Sequence, residues 1–96
     1  MSIPSVSGNE YEIMQFVKRW LHERNITYVE TANDPRRPNI IATIGNPDSG
    51  PLVAMNGHLD VVPVSDESSW KTDPFEGVLS DDNTTIFGRG AADMKT

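Results

Sequence analysis

Three residues in this chain have the types and spacing for metal chemistry: His58, Asp60 and Asp93. His58 and Asp60 lie in Gly57-His58-Leu59-Asp60-Val61-Val62-Pro63. Residues two apart in extended backbone project from the same face. A carboxylate so placed can accept a hydrogen bond from one imidazole nitrogen while the other nitrogen binds a metal, which fixes the tautomer and raises ligand basicity. Asp93 lies in Gly88-Arg89-Gly90-Ala91-Ala92-Asp93-Met94-Lys95. The glycines allow tight turns and close approach to a ligand, and the alanines leave room for the carboxylate. One carboxylate shared by two cations holds them about 3.5–4 Å apart, the spacing of two-metal hydrolytic sites. Each motif alone also reads more plainly. The first would be a hydrogen-bonded loop pair, since short motifs recur by chance. The second would be a glycine-rich turn with Asp93 near the N-terminus of a following helix.

Several elements have to position these residues. Ser7 and Glu10 fit a capping box, and Ile13, Val17, Trp20, Leu21 and Arg24 recur at helical spacing, widened by Met14 and Phe16. The pattern predicts a helix over about 8–24, stopped at Asn25, with Trp20 in its core face. Ile26-Thr27-Tyr28-Val29-Glu30 suits a strand, residues 31–38 a loop, and Asn39-Ile40-Ile41-Ala42-Thr43-Ile44 a second strand. Turn formers fill 45–50. Pro51-Leu52-Val53-Ala54-Met55-Asn56 reads as a third strand, paired with the second as a hairpin. Its apolar run is of the kind covered on both faces, and that cover needs more helix than these residues supply. A last hairpin is expected from 78–80 and 84–87 around Asp81-Asp82-Asn83. The fold class is α/β: one helix, then about five short strands, an incomplete part of a mixed-sheet domain.

The chain has 96 residues, a net charge of −6 and no cysteine. Without cysteine there are no disulfides, thiolate ligands or Cys nucleophile, so any metal falls to His, Asp or Glu. The acidic balance, with no basic stripe, disfavours nucleic acid and anionic membranes. No signal peptide or membrane-length apolar run is visible, and the expected location is cytoplasmic.

Taken together the motifs are more specific than either alone. Gly-His-x-Asp-Val-Val-Pro, then Trp70, then Asp73-Pro74-Phe75, then Gly-Arg-Gly-Ala-x-Asp-Met-Lys resembles one enzyme group in order and spacing. This is the acetylornithine deacetylase, succinyl-diaminopimelate desuccinylase, aminoacylase and glutamate carboxypeptidase family of zinc metallopeptidases. Ile3-Pro4-Ser5-Val6-Ser7-Gly8-Asn9-Glu10 is similar to that family's opening. The resemblance implies that His58 ligates one zinc, that Asp93 bridges two, and that Asp60 orients His58. It also implies a cis peptide bond after Asp93. Two zinc ions per intact site are implied, with cobalt or manganese as substitutes. The implied reaction is hydrolysis of the amide bond of an N-acyl amino acid or small peptide, by an enzyme expected to form a homodimer.

The family's general-base glutamate, its neighbouring glutamate ligand, a further acidic ligand and a distal histidine have no counterpart in residues 1–96. Nor does the dimerisation domain. The chain is therefore expected to be the N-terminal portion of a dinuclear zinc hydrolase catalytic domain, inactive alone. Two other readings compete with this one. One is a non-catalytic module docking on a complementary chain through an open sheet edge; the other is a different two-metal hydrolase such as a phosphoesterase. Among the remaining residues, His22 is expected to be exposed or capping, and Trp70 and Phe75 to line a cleft or plug the long loop. Arg36 and Arg37 are expected in a surface loop, and Arg89 on an unnamed carboxylate.

Overall fold

Helix α1 spans Tyr11–Glu23, and one face of it provides most of the buried apolar surface. Met14 and Leu21, two turns apart, are buried, with Ile13 and Val17 half-buried beside them. Side chains three, four and seven apart share a helix face, so this stripe follows directly from the sequence pattern. Trp20 lies off the stripe. It is 42 % exposed rather than core, and the Arg24 guanidinium sits 4.0 Å from its ring centroid, a cation–π contact at the helix end.

The helix ends where the sequence predicts. Asn25 takes φ +53°, its N–H donates to the His22 carbonyl, and the Ile26 N–H reaches back to Leu21 at 3.0 Å. This is the paired bonding of a Schellman stop, and Asn tolerates its left-handed residue better than most. The start differs from the capping-box expectation. Helical geometry begins at Tyr11 with Glu10 as the flanking residue, and no side chain caps it. The Ser7 hydroxyl is engaged elsewhere, while the Glu10 carboxylate accepts from the Gly8 N–H at 2.8 Å.

The computed structural model describes residues 2–93. Strands β1 (Tyr28–Thr31) and β2 (Asn39–Ala42) pair antiparallel, Tyr28 opposite Ala42. Strands β3 (Val78–Leu79) and β4 (Ile86–Phe87) form a second antiparallel pair. Between them Asp82 accepts from the Ser80 hydroxyl at 2.6 Å and the Thr84 N–H at 3.1 Å, which closes the predicted turn. Those hydrogen bonds hold the Asp82 carboxyl below its ordinary pKa, the Ser80 bond most of all.

Among the described residues there are four strands in two separate sheets, not about five in a mixed one. The missing strand is 51–56, which forms no ladder, so the expected hairpin with the second strand is replaced by the β1–β2 pair. Leu52 is 74 % exposed and Met55 95 % exposed. An apolar run becomes a buried strand only when neighbours pair its backbone and cover its faces, and no described segment does either. The radius of gyration is 15.9 Å, against about 12–13 Å for a compact domain of this length. The elements do not close around a single core. No helix among the described residues is long and apolar enough to cross a membrane.

Candidate functional site

The segment bearing His58 and Asp60 is fastened to the chain's beginning. Val6 and Val61 form a parallel bridge. Around it the Ser7 N–H donates to the Val61 carbonyl at 3.0 Å and the Val61 N–H donates to Ser5 at 2.9 Å. The Ser5 hydroxyl donates to the Leu59 carbonyl at 2.6 Å. Ser5 and Val61 are both buried there. The Ile-Pro-Ser opening thus leads into a single bridge laid alongside the motif, and it sets the direction in which 58–60 extends.

On that extended stretch the two-residue spacing acts as predicted. His58 Nδ1 lies 2.9 Å from Asp60 Oδ1. An ionised carboxylate can only accept, so Nδ1 carries the proton and Nε2 keeps a lone pair for a metal or another proton. The other carboxylate oxygen, Oδ2, accepts from the Ser7 hydroxyl at 2.5 Å.

Beneath this stretch lies an ion pair that the sequence did not reveal. Arg37 Nε and Nη2 meet Glu10 Oε2 and Oε1, both at 2.9 Å. Two parallel charge-assisted bonds make this a fork-to-fork contact. It holds the Glu10 carboxyl below its ordinary pKa, with the Arg37 hydrogen bond as the largest cause and burial opposing it. Arg37 is pushed up in return, chiefly by its bond to Glu10, with a lesser Coulombic contribution from Asp60. Arg37 therefore ties the loop to the helix start in addition to lying at the surface, while Arg36 pairs locally with Asp34. The available signal was Arg37 on a proline-bounded loop and one acidic residue at a helix entrance, too little to pair them.

The second motif forms a run of turns. Gly90 takes φ +95°, a value L residues avoid, and the Ala91 N–H donates to the Gly88 carbonyl at 3.2 Å. The Arg89 N–H donates to Pro74 at 2.6 Å, and its guanidinium lies over the Trp70 ring at 4.9 Å. Its Nη2 reaches the Pro63 carbonyl at 3.5 Å. Arg89 Nε is buried without a hydrogen-bond partner among the described residues, where an aromatic face stands in place of the expected carboxylate. Trp70, Val61, Val62, Arg89 and Asp93 share one pocket of about 160 Å³ with the turn glycines. The pocket joins the two motifs through Val61 and Asp93. The peptide bond after Asp93 lies outside the described residues.

These donors suit a borderline metal: a neutral imidazole nitrogen and a carboxylate. The set is partial. Among the described residues no three His, Asp or Glu side chains gather closely enough to hold a metal ion, whereas a catalytic zinc takes about three protein ligands.

Comparison with known proteins matches residues 54–96, the stretch that contains both motifs, to peptidase family M20/M25/M40. The chain is 34% identical over 95 residues to a probable succinyl-diaminopimelate desuccinylase of Staphylococcus epidermidis, which covers 99% of this chain and 22% of that protein. It is 37% identical over 92 residues to the succinyl-diaminopimelate desuccinylase of Legionella pneumophila, covering 96% and 23%. With the enzyme of that name from Ehrlichia canis, identity is 34% over 99 residues, covering 100% and 25%. The chain thus spans about a quarter of the length of the curated relatives it matches.

Proposed function

The chain belongs to peptidase family M20/M25/M40, and we propose that at its relatives' length the protein is a metal-dependent amidohydrolase. The reaction proposed is removal of an acyl group from an amino acid. The names of the similar proteins make an N-succinylated diamino acid the first substrate to try, ahead of other N-acyl amino acids and small peptides. The observation that carries the reading is the His58–Asp60 hydrogen bond. It leaves Nε2 as the ring nitrogen free to bind a cation, in the arrangement that metal-ligating histidines use.

In this reading His58 Nε2 and the Asp93 carboxylate are two of the metal-holding groups, and the others come from residues beyond these 96. When bound, a pair of zinc ions, or cobalt or manganese in their place, would lower the pKa of water and polarise the scissile carbonyl. The chain's own residues prepare that site. Asp60 holds His58 in one tautomer and one orientation. The Val6–Val61 bridge fixes the segment on which both sit. The Arg89–Trp70 stack braces the turn that leads to Asp93.

The test is an assay of the protein at its relatives' length on N-succinyl and N-acetyl amino acids, dipeptides and a phosphate ester. Amide hydrolysis that a chelator stops and zinc restores is the expected result. Turnover of the phosphate ester with none of the amides would refute the reading. A second reading, non-catalytic association with a complementary chain, draws on the exposed Leu52, Val53 and Met55, since apolar surface of this kind marks interfaces. Light scattering of the 96-residue chain separates the two: self-association that rises with concentration favours it, and a clean monomer counts against it.

A further inference from the structure

Asp60 is assigned above the task of holding His58, yet an aspartate carboxylate is poorly fixed by one hydrogen bond. Its terminal torsion joins sp³ to sp² carbon and is broad, with two equivalent settings. A further contact helps to lock the plane, and the Ser7 hydroxyl is one that the structure supplies from far along the sequence. The Ser7 hydroxyl has a single proton. It lies 2.5 Å from Asp60 Oδ2 and 3.5 Å from the Val61 carbonyl, so the short contact to the carboxylate takes it.

The hydroxyl is itself held in place. The Ser7 N–H donates to Val61, and Asn9 N–H turns back to the Val6 carbonyl at 2.7 Å. Three residues on from Ser7, Glu10 is clamped by the Gly8 N–H and the Arg37 fork. The donor to Oδ2 therefore rides on a segment with fixed backbone, and Oδ1 is left turned to the imidazole.

We propose that Ser7 is a positioning residue that acts through Asp60 to set the tautomer and orientation of His58. This rests on the metal-site reading only in its consequence for metal affinity; the tautomer claim concerns the chain alone. A hydroxyl at this position is what matters, so threonine should serve as well as serine, and the exposed setting of Ser7 leaves space for its methyl group.

The experiment is long-range proton–nitrogen NMR of the His58 ring in metal-free chain near pH 8. The His58→Ala spectrum separates its signals from those of His22. Wild type and Ser7→Thr should show the Nδ1–H tautomer, which an unrestrained imidazole disfavours. Ser7→Ala should show a mixture and, in the protein at its relatives' length, weaken zinc binding about 3–10-fold, below the roughly 10–100-fold typical of losing a ligand's direct partner such as Asp60. A wild-type ring dominated by Nε2–H overturns the proposal. So does Ser7→Ala that keeps both tautomer and affinity while Asp60→Ala loses them. Exchange protection of the Val61 amide monitors the fold. If Ser7→Ala loses that protection, Ser7→Thr decides, and its failure to restore the wild-type tautomer refutes the proposal. A tautomer that follows Ser7, together with no zinc bound by the protein at its relatives' length, would leave the positioning role standing and remove the metal reading.

Discussion

Val53 and Val61 are the same residue type eight positions apart, and they meet opposite fates. Val53 is 83 % exposed and Val61 is 6 % exposed. What separates them is the partner. Val61 is flanked by the Ser5–Ser7 segment, which takes its N–H and its carbonyl, while 51–56 has no ladder among the described residues. Burial of an apolar side chain is thus decided by what the backbone can pair with. His58 stands just beyond the unpaired stretch and is tied to the paired one through Asp60. The candidate site begins where the chain's internal support begins.

That contrast can be broken or sharpened in several ways. The largest effect is expected at the chemistry: in the protein at its relatives' length, His58→Ala or Asp93→Ala should reduce chelator-sensitive amide hydrolysis to background, and residual turnover near wild type would detach the motifs from the reaction. Next comes the buried face of α1, where Leu21→Ala should cost about 2–4 kcal/mol in denaturant unfolding. For the two valines, Val61→Ala should cost about 1–2 kcal/mol and Val53→Ala less than about 0.5. Equal costs would mean that 51–56 is packed after all. Amide exchange should follow the same line, with Ser7 and Val61 protected and 52–56 exchanging almost as an open chain.

The smallest effect is a matter of pH. Glu10 has its pKa lowered by Arg37, so its ion pair stabilises the fold above the unfolded carboxylate value of about 4.3. That stability is lost as pH falls through the lower folded value. Glu10→Gln should therefore flatten the acid side of the stability profile and leave the region above about pH 6 with a constant offset. An acid limb as steep in the variant as in the wild type would show that the fork contributes nothing.

Local patterns were legible in the sequence where the interaction was local. The helical stripe of Met14, Val17 and Leu21, the Asn25 stop and the turn around Asp82 all depend on neighbours within a few residues. The His58–Asp60 hydrogen bond was equally readable, because it needs only extended backbone and a two-residue step. The misreadings share one cause. Ser7 looked like a helix cap, and its hydroxyl instead serves a carboxylate 53 positions away. Glu10 looked like the other half of that cap, and it faces Arg37 across 27 positions. Residues 51–56 have the composition of a strand, but composition cannot provide the neighbouring strand. Trp20 suits a core by type and is left outside because the sheets do not close over that side of the helix.

The central claim is that His58 and Asp93 hold metal. It is tested most directly by zinc content of the protein at its relatives' length, measured after stripping and reloading, for wild type, His58→Ala and Asp93→Ala. The account predicts two zinc ions per wild-type chain, one fewer when His58 is lost, and neither held tightly without Asp93. Two ions retained in both variants would contradict it.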